Sequence, residues 1–511
     1  MRTIQNINDN WTFIKADHPA DGEGVAVTLP HTWNAEDGQD GGDDYHRGKC
    51  WYLRDLDKPE LPEGGRAWLE FEGAAMSAEV YLNGEKLAEH AGGYSTFRVD
   101  LTDHLKEHNK LAVSVSNARS DTVYPQRADF TFYGGLYRDV NLILVPAAHF
   151  ALGHHGGPGL KITPAADLAA HGAAVTAEAW VEGPAENATV TFTLAGQTQT
   201  VPVVDGAARA AFTIENVHLW DGLDDPYLYT ATASLSSGDA VSVRFGCRKF
   251  EIDPQKGFLL NGRSYPLRGV SRHQDRKGAG NALTPAMMEE DMAIIKELGA
   301  NTLRLAHYQH AQHFYDLCDE NGLVVWAEIP YITQHLHSGR ANTLSQMEEL
   351  VIQNYNHPCI AVWGLSNEIT AASAVNEELL ENHRALNDLC HKLDPTRPTT
   401  MADVFMLETD SPILEIPDVN SYNLYFGWYL GELEQNDEFF DEYHAKYPDR
   451  CIGFSEYGAD ANPAYQSPTP EKGDYTETYQ CVYHEHMLKM IEARPWLWAT
   501  HVWNLFDFGA D

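Results

Sequence analysis

Two glutamates in this chain follow apolar, strand-like runs, and their positions suit a pair of catalytic carboxyl groups. Glu368 ends the run "IAVWGLSNE", and Glu456 lies within "CIGFSEYG". In glycoside cleavage, one protonated carboxyl group gives a proton to the leaving oxygen while a second, ionised one attacks the anomeric carbon. The two glutamates therefore predict a glycosidase. Retention of configuration requires carboxyl groups about 5–5.5 Å apart, and we expect that separation here.

A structural interpretation competes with the catalytic one. Buried acids are usually paired, and Arg304 is a candidate partner for either glutamate. For a single glutamate that interpretation is preferred. Two glutamates, each following an apolar strand and each next to an amide or an aromatic residue, favour catalysis. We expect Arg272 and Arg304 to hold the pair from below, with Glu328 in the same network.

Other polar and aromatic residues also stand where strands end. They are His273, His307, Asn423, Tyr425 and Trp503. Tyr425 could hold Glu456 ionised, and Trp503 could lie under a sugar ring, whose apolar face stacks on aromatic side chains. Each of the two histidines could equally be a satisfied core residue, and the two aromatic residues could be core residues as well.

The elements that must position these residues alternate between strands and helices. The predicted strands are 266–273, 301–308, 323–330, 360–368, 399–404, 419–425, 451–458 and 500–508. Helical segments connect them, for example Pro285 to a C-cap at Gly299. Eight such strands predict a (β/α)8 TIM barrel over 250–511, whose carboxyl-terminal face carries the site. The chain stops directly after the eighth strand, so the barrel is expected to lack its last helix.

The residues before the barrel predict two β domains. Residues 1–147 contain alternating strands and an Asn83-Gly84 hairpin signal, which favours a jelly-roll β-sandwich. Residues 148–249 contain short strands with frequent turns, typical of an immunoglobulin-like β-sandwich. The fold class is thus a multidomain β and α/β protein.

Charge and composition exclude several kinds of partner. The chain has 74 acidic against 36 basic residues, a formal net charge of −38, which disfavours nucleic acid and anionic membranes. The seven cysteines form no CxxC pair, and the N-terminus has no apolar signal segment. We expect a cytoplasmic enzyme with a small-molecule or oligosaccharide glycoside substrate. Homo-oligomerisation is left open.

The ordered motifs resemble glycoside hydrolase family 2, which includes bacterial β-galactosidases and β-glucuronidases. The resemblance extends over nearly the whole chain. It rests on "GGLYRDVNL", "LWDGLDDPYLY", "GVSRHQD", "NHPCIAVWGLSNE", "NLYFGWY", "FSEYGAD" and "VWNLFDF".

This resemblance implies roles for individual residues. Glu368 matches the acid/base and Glu456 the nucleophile of a retaining exo-β-glycosidase. Asn367 matches a residue that binds the sugar 2-hydroxyl, and Tyr425 one that supports the nucleophile. The remaining matches are sugar-site positions: His307, Asn423, Tyr429, Trp503 and, on the first domain, Asp129.

Two departures from the family's pattern bear on metal and substrate. Metal-dependent galactosidases carry a Glu-x-His pair where this chain has Ile332 and Gln334, so we expect no metal and no other cofactor. The Asn-x-Lys motif with which glucuronidases read the sugar carboxylate would lie beyond residue 511. We favour a β-galactosidase, on the phrases "VWAEIP" and "RHQD". The alternatives are a β-glucuronidase or β-galacturonidase and, less favoured, a carbohydrate-binding fragment without turnover.

Overall fold

A computed structural model describes residues 1–511, which form two antiparallel β-sandwiches followed by a closed parallel barrel. The first sandwich packs a four-stranded sheet, in the order β1-β12-β5-β9, against a six-stranded sheet, in the order β3-β2-β4-β10-β7-β8. Alternate residues of these strands point into one apolar core, as the alternating sequence predicts. The strands are β1 (Thr3–Asn6), β2 (Trp11–Ile14), β3 (Val25–Val27), β4 (Lys49–Asp57), β5 (Arg66–Phe71), β6 (Ala74–Ala75), β7 (Ser77–Leu82), β8 (Glu85–Ala91), β9 (Phe97–Asp100), β10 (His108–Ser116), β11 (Gly135–Leu136) and β12 (Val140–Val145).

The second sandwich is smaller and encloses its own apolar core. In one sheet β15 pairs with β13, β14 and β18, and the other sheet has the order β17-β16-β19-β20. A short sheet of β21, β22 and β23 then leads into the barrel. These strands are β13 (His149–Phe150), β14 (Leu160–Asp167), β15 (Gly172–Glu182), β16 (Thr189–Leu194), β17 (Gln197–Pro202), β18 (Ala207–Glu215), β19 (Tyr229–Leu235), β20 (Ala240–Phe245), β21 (Phe250–Asp253), β22 (Gly257–Leu260) and β23 (Arg263–Ser264).

The predicted TIM barrel is confirmed, because eight parallel strands pair in sequence order and β24 pairs with β31 to close the ring. Its strands are almost entirely buried, which explains their continuous apolar runs. They are β24 (Arg268–Arg272), β25 (Thr302–Leu305), β26 (Val324–Glu328), β27 (Ile360–Asn367), β28 (Thr399–Val404), β29 (Asn420–Asn423), β30 (Ile452–Tyr457) and β31 (Thr500–Val502).

Six α-helices connect the barrel strands. The helix predicted from Pro285 has Thr284 as its N-cap and ends at Gly299, whose φ of 81° suits glycine. The connection from β28 to β29 has only a short 3-10 helix, because Pro412 and Pro417 interrupt the segment. The helices are α1 (Pro285–Leu298), α2 (Gln312–Asn321), α3 (Arg340–Asn354), α4 (Glu377–Leu393), α5 (Gln435–Lys446) and α6 (Glu477–Glu492).

The last barrel strand is shorter than predicted, ending at Val502 instead of Phe508. Residues 503–508 leave the barrel and approach the first domain, where the Thr131 amide donates to the Gly509 carbonyl at 2.9 Å. Trp503 therefore stands just beyond a strand end. No helix in the structure has the length and apolar character that a membrane crossing requires.

The first sandwich is docked firmly on the barrel. The rings of Tyr94 and Tyr308 stack with their centroids 4.2 Å apart. Arg138 of the first domain donates to the Gln309 carbonyl at 2.8 Å. Phe130 packs against the rings of His273 and Tyr308. This contact brings the loop between β10 and β11 to the carboxyl-terminal face of the barrel.

Candidate active site

A cavity of about 450 Å³ opens at the carboxyl ends of the barrel strands. Ten residues were predicted as site residues, and eight of them line this cavity: Asp129, His307, Asn367, Glu368, Tyr425, Tyr429, Glu456 and Trp503. The other two, His273 and Asn423, are buried and do not line it. The structure thus brings together most of the residues that sequence reasoning and resemblance had predicted.

Glu456 is held by two hydrogen-bond donors at the end of β30. Arg304 Nη1 donates to its Oε1 at 2.5 Å, and the Tyr425 hydroxyl donates to its Oε2 at 2.7 Å. Burial raises the pKa of Glu456, and Arg304 and Tyr425 oppose that rise by stabilising the ionised form. Since Glu456 alone of the two glutamates contacts a cation, we expect it to ionise first.

Arg304 is the centre of a buried ionic network. Its guanidinium is fully buried, and it donates to both oxygens of Glu328 at 3.0 Å as well as to Glu456. His307 Nδ1 lies 2.8 Å from Glu328, and burial together with Arg304 holds the pKa of His307 well below its usual range. The imidazole is therefore neutral, and its Nδ1 also lies 3.2 Å from Arg304 Nη2.

A glycine makes room for this network. A Cβ built on Gly364 of β27 would lie 2.5 Å from the Cβ of Glu328 and 2.6 Å from Nε1 of Trp326. Real side chains do not approach so closely. Gly364 thus lets β26 and β27 pair while Glu328 remains beneath the cavity floor.

Glu368 has a different environment from Glu456. Its Oε1 accepts a hydrogen bond from Asn423 Nδ2 at 3.1 Å, and no cation contacts it. Burial, followed by the negative charge of Glu456, raises the pKa of Glu368 to about 7. The two carboxyl groups thus differ in their protonation: Glu456 is compensated by a guanidinium, whereas Glu368 is suited to carry a proton.

The backbone at Glu368 is in the left-handed region, with φ 46° and ψ 32°. A non-glycine residue pays about 1–2 kcal/mol for this conformation. Such outliers cluster at functional sites, and here the residue lies directly between the end of β27 and a one-turn 3-10 helix.

Two asparagines connect the carboxyl groups. The Oδ1 of Asn367 accepts from Arg304 Nη2 at 2.7 Å and from Asn423 at 3.2 Å. Its amide NH2 makes no hydrogen bond within the protein and so remains available to a ligand hydroxyl. The Ser455 hydroxyl donates to Asn423 Oδ1 at 2.7 Å and so orients the Asn423 side chain. From its place behind the cavity lining, Asn423 Nδ2 donates to Glu368.

Aromatic rings form one side of the cavity. The Trp503 indole stacks on the His307 imidazole with centroids 4.9 Å apart. His273 lies behind them, stacked on Phe508 and hydrogen-bonded to the Tyr308 hydroxyl. The alternative of a packed core histidine therefore suits His273, whereas His307 belongs to the cavity.

Several lining residues escaped sequence reasoning. They are Arg127, Ala128, Thr333, Phe405 and Met406, together with Ala371, Val404 and Leu430; Ile332, which was considered only as the position of a lost metal ligand, also lines the cavity. Arg127 is exposed and makes no hydrogen bond or ion pair within the chain. Met406 is 58% exposed and Tyr429 64% exposed, so the outer part of the cavity is apolar and open. In the sequence, the one hint that this segment reaches the site was Arg127, a charged residue two positions before Asp129.

The expectation that Arg272 supports the glutamates was wrong. Its guanidinium pairs with Asp291 at 2.6 Å and contacts His310, so it fixes α1 against the barrel. Arg304 alone fills the supporting role.

The cavity wall does not offer a metal site where the resemblance would place one. Ile332 lines the cavity and has no ligand atom. Two groups of side chains elsewhere are close enough to share an ion, namely Asp316, Asp319 and His357, and Asp40, Asp44 and Asp511. Neither group lines the cavity, and metal independence of catalysis stays a prediction.

Replacing Arg304 with methionine should destabilise the barrel strongly. Two buried carboxylates would lose their only guanidinium, and breaking a buried pair in this way costs about 3–5 kcal/mol. The thermal melting temperature should therefore fall by several degrees. Arg384→Met is the matched control, because Arg384 pairs with Glu377 at the surface and such pairs contribute at most about 1 kcal/mol. Equal melting of both variants would contradict the buried network.

Comparison with known proteins gives the family. The model described as "Glycosyl hydrolases family 2, TIM barrel domain" matches residues 251–511. The family's sugar-binding domain matches residues 6–146, and a third family 2 model matches residues 163–248.

Individual relatives carry two activities in their names. A β-glucuronidase from Bacteroides fragilis is 37% identical over 99% of this chain and 76% of the relative. A β-galactosidase from Thermoanaerobacter pseudethanolicus is 30% identical over 83% of this chain and 58% of its own length. A solved structure, an FMN-binding β-glucuronidase from Facaelibacterium prausnitzii L2-6, is 46% identical with a TM-score of 0.96, covering 100% of this chain and 80% of that one. The chain belongs to glycoside hydrolase family 2, as its ordered motifs predicted, and is a glycoside hydrolase.

Proposed function

We propose that this chain is a retaining β-glucuronidase. The observation that carries the sugar assignment is the similarity to two proteins named β-glucuronidases, at 46% and 37% identity over essentially the whole chain. This departs from the β-galactosidase favoured by the sequence phrases. β-Galactosidase remains the second candidate, because relatives with that name are 30% and 31% identical over 83% of this chain.

The proposed reaction assigns one role to each carboxyl group. Glu456 attacks the anomeric carbon while Glu368 gives its proton to the departing glycosidic oxygen, which breaks the carbon–oxygen bond. Glu368, now ionised, then takes a proton from water, and that water displaces Glu456 from the sugar. The hydrogen bonds from Arg304 and Tyr425 support this proposal, since they hold Glu456 ionised and fixed before attack.

A glucuronide brings a carboxylate that needs a counter-charge, because an unpaired buried charge costs several kcal/mol. Arg272 and Arg304 are committed to acids of the protein. Arg127 lines the same cavity and has no such partner. We propose that the Arg127 guanidinium provides a counter-charge for the substrate carboxylate and so favours an acidic substrate.

A panel of p-nitrophenyl β-glycosides tests both points. The wild-type chain should have a higher kcat/KM for the glucuronide than for the galactoside. Arg127→Gln should lower the ratio of the two values about two- to fivefold, the effect expected for a solvent-exposed ion pair. A galactoside preferred by the wild type would instead support the second candidate, and an unchanged ratio in the variant would remove Arg127 from the account.

We also propose that the chain binds FMN, which departs from the expectation that it binds no cofactor. The observation in its favour is the 46% identity, over the full chain, to the solved β-glucuronidase that is named as FMN-binding. Glycoside hydrolysis transfers no electrons, so the flavin is proposed as a bound ligand outside the reaction steps. Flavin fluorescence on titration with purified protein tests the proposal, because an enclosed isoalloxazine ring is quenched by neighbouring aromatic side chains.

A further inference from the structure

A second cavity lies between the second sandwich and the barrel, and it shares no residue with the catalytic cavity. It encloses about 130 Å³ and opens to solvent, so a ligand would lie partly outside it. Strands β14 and β15 form one side, and the C-terminal ends of α3 and α4 form the other. These helix ends precede the next barrel strands, so the cavity faces the amino-terminal end of the barrel, away from Glu368 and Glu456.

The walls of this interdomain cavity suit a flat aromatic ring. Trp180 is partly exposed in it, and the His154 imidazole stacks on the indole with centroids 5.2 Å apart and planes inclined by 26°. The indole N–H and both ring nitrogens of His154 make no hydrogen bond within the chain. Ile352 and Leu393 add apolar surface. A planar ligand would find stacking surface and free polar groups together.

The charge around the cavity is opposite to that of the protein. Although the chain has 74 acidic residues, none lines this cavity, whereas two lysines do. Lys161 lies 4.4 Å over the Tyr355 ring and 3.7 Å from Glu178. Lys392 is exposed and makes no hydrogen bond or ion pair. A free ammonium beside an acid-free cavity favours an anionic group such as a phosphate monoester.

Hydrogen bonds between the second sandwich and the barrel fix the two sides of this cavity relative to each other. Asn356 accepts from the Ile162 amide at 2.8 Å and donates to the Leu160 carbonyl at 2.9 Å, which fixes the edge strand β14 to the barrel. Tyr355 is buried and its hydroxyl bonds to Thr163 at 2.9 Å. Both sides of the cavity are therefore held at a set distance.

We propose that this interdomain cavity is a binding site for a planar aromatic anion and that FMN occupies it, with the ring on Trp180 and the phosphate at Lys392. The inference rests on the FMN binding proposed above and adds the site, the contacts and a dependence on the phosphate. It places the ligand at a distance from the reacting carboxyl groups, as a group that ties the second sandwich to the barrel.

Binding, not turnover, is the primary test. FMN is titrated against the full-length wild-type chain and against Trp180→Ala, Trp180→Phe and Lys392→Glu, with flavin fluorescence as the readout. Trp180→Ala should weaken FMN tenfold or more, as removal of a stacking partner does, and Trp180→Phe should retain most of the affinity. Lys392→Glu should weaken FMN about tenfold at low salt and less at high salt.

Riboflavin and a distant lysine provide the controls. Riboflavin lacks the phosphate, so its affinity should be lower than that of FMN and unaffected by Lys392→Glu. Lys256→Glu changes an exposed lysine outside the cavity and should leave FMN binding unchanged. If all variants bind FMN as the wild type does, this site is wrong while FMN binding stands. If the wild type binds no FMN, both proposals fail.

Discussion

Glu456→Gln should reduce turnover of any accepted glycoside by about 10⁴-fold or more, the scale seen when a nucleophile that acts with its partners is removed. The amide cannot form the glycosyl–enzyme bond, yet it keeps the shape of the side chain. The Arg304 guanidinium would still be compensated by Glu328, so folding should be largely retained. Initial rates with an activated aryl glycoside, together with a thermal melt, measure the two effects separately.

The matched control is Glu434→Gln, which changes an exposed glutamate at the start of α5. It removes the same charge from the chain without touching the cavity. Residual activity of Glu456→Gln above about one percent of the wild type would show that Glu456 is not the nucleophile.

Glu368→Gln should affect substrates according to their leaving groups. General acid catalysis contributes about 10²–10⁴-fold, and a poor leaving group needs all of it. An aryl group that leaves without a proton should retain much of its kcat/KM, while its kcat falls because the second step lacks a base. Equal losses of kcat/KM for both substrates would contradict the role of Glu368.

The pH profile gives an independent readout of the same residue. The pKa of Glu368 is about 7, and the acid works only when protonated. The wild-type kcat/KM should therefore be high below about pH 7 and fall as the pH rises through that value. Glu368→Gln should lack this alkaline decline for the activated substrate, since no proton remains to be lost.

Much of this site could be predicted from the chain because a barrel strand leaves a clear pattern. An apolar run that ends in polar residues has one physical explanation in a parallel barrel, and it located Glu368, Glu456, Asn423 and Tyr425. The partners of the two arginines were harder to predict. Arg272 and Arg304 both stand on early strands, and only the structure separates the one facing α1 from the one facing the cavity.

Contacts between domains left no such pattern. Arg127 and Asp129 belong to a loop more than a hundred residues before the barrel, and no local periodicity tells where that loop docks. Asp129 was found through resemblance alone, and Arg127 was missed. Phe405 and Met406 were also missed, because exposed apolar residues after a strand look like ordinary loop sequence.

Because the loop between β10 and β11 reaches the cavity, catalytic groups and part of the substrate wall come from different domains. The barrel holds every group assigned to bond making and breaking, whereas the first sandwich supplies Arg127, Ala128 and Asp129 at the mouth of the same cavity. A barrel separated from that sandwich would keep its reactive carboxyl groups but lose part of its substrate wall. Evolution can then vary substrate preference by altering a surface loop of a neighbouring module, without disturbing the tightly packed ionic network around Arg304. The same arrangement makes this loop the natural place to graft a new preference onto an unchanged catalytic barrel.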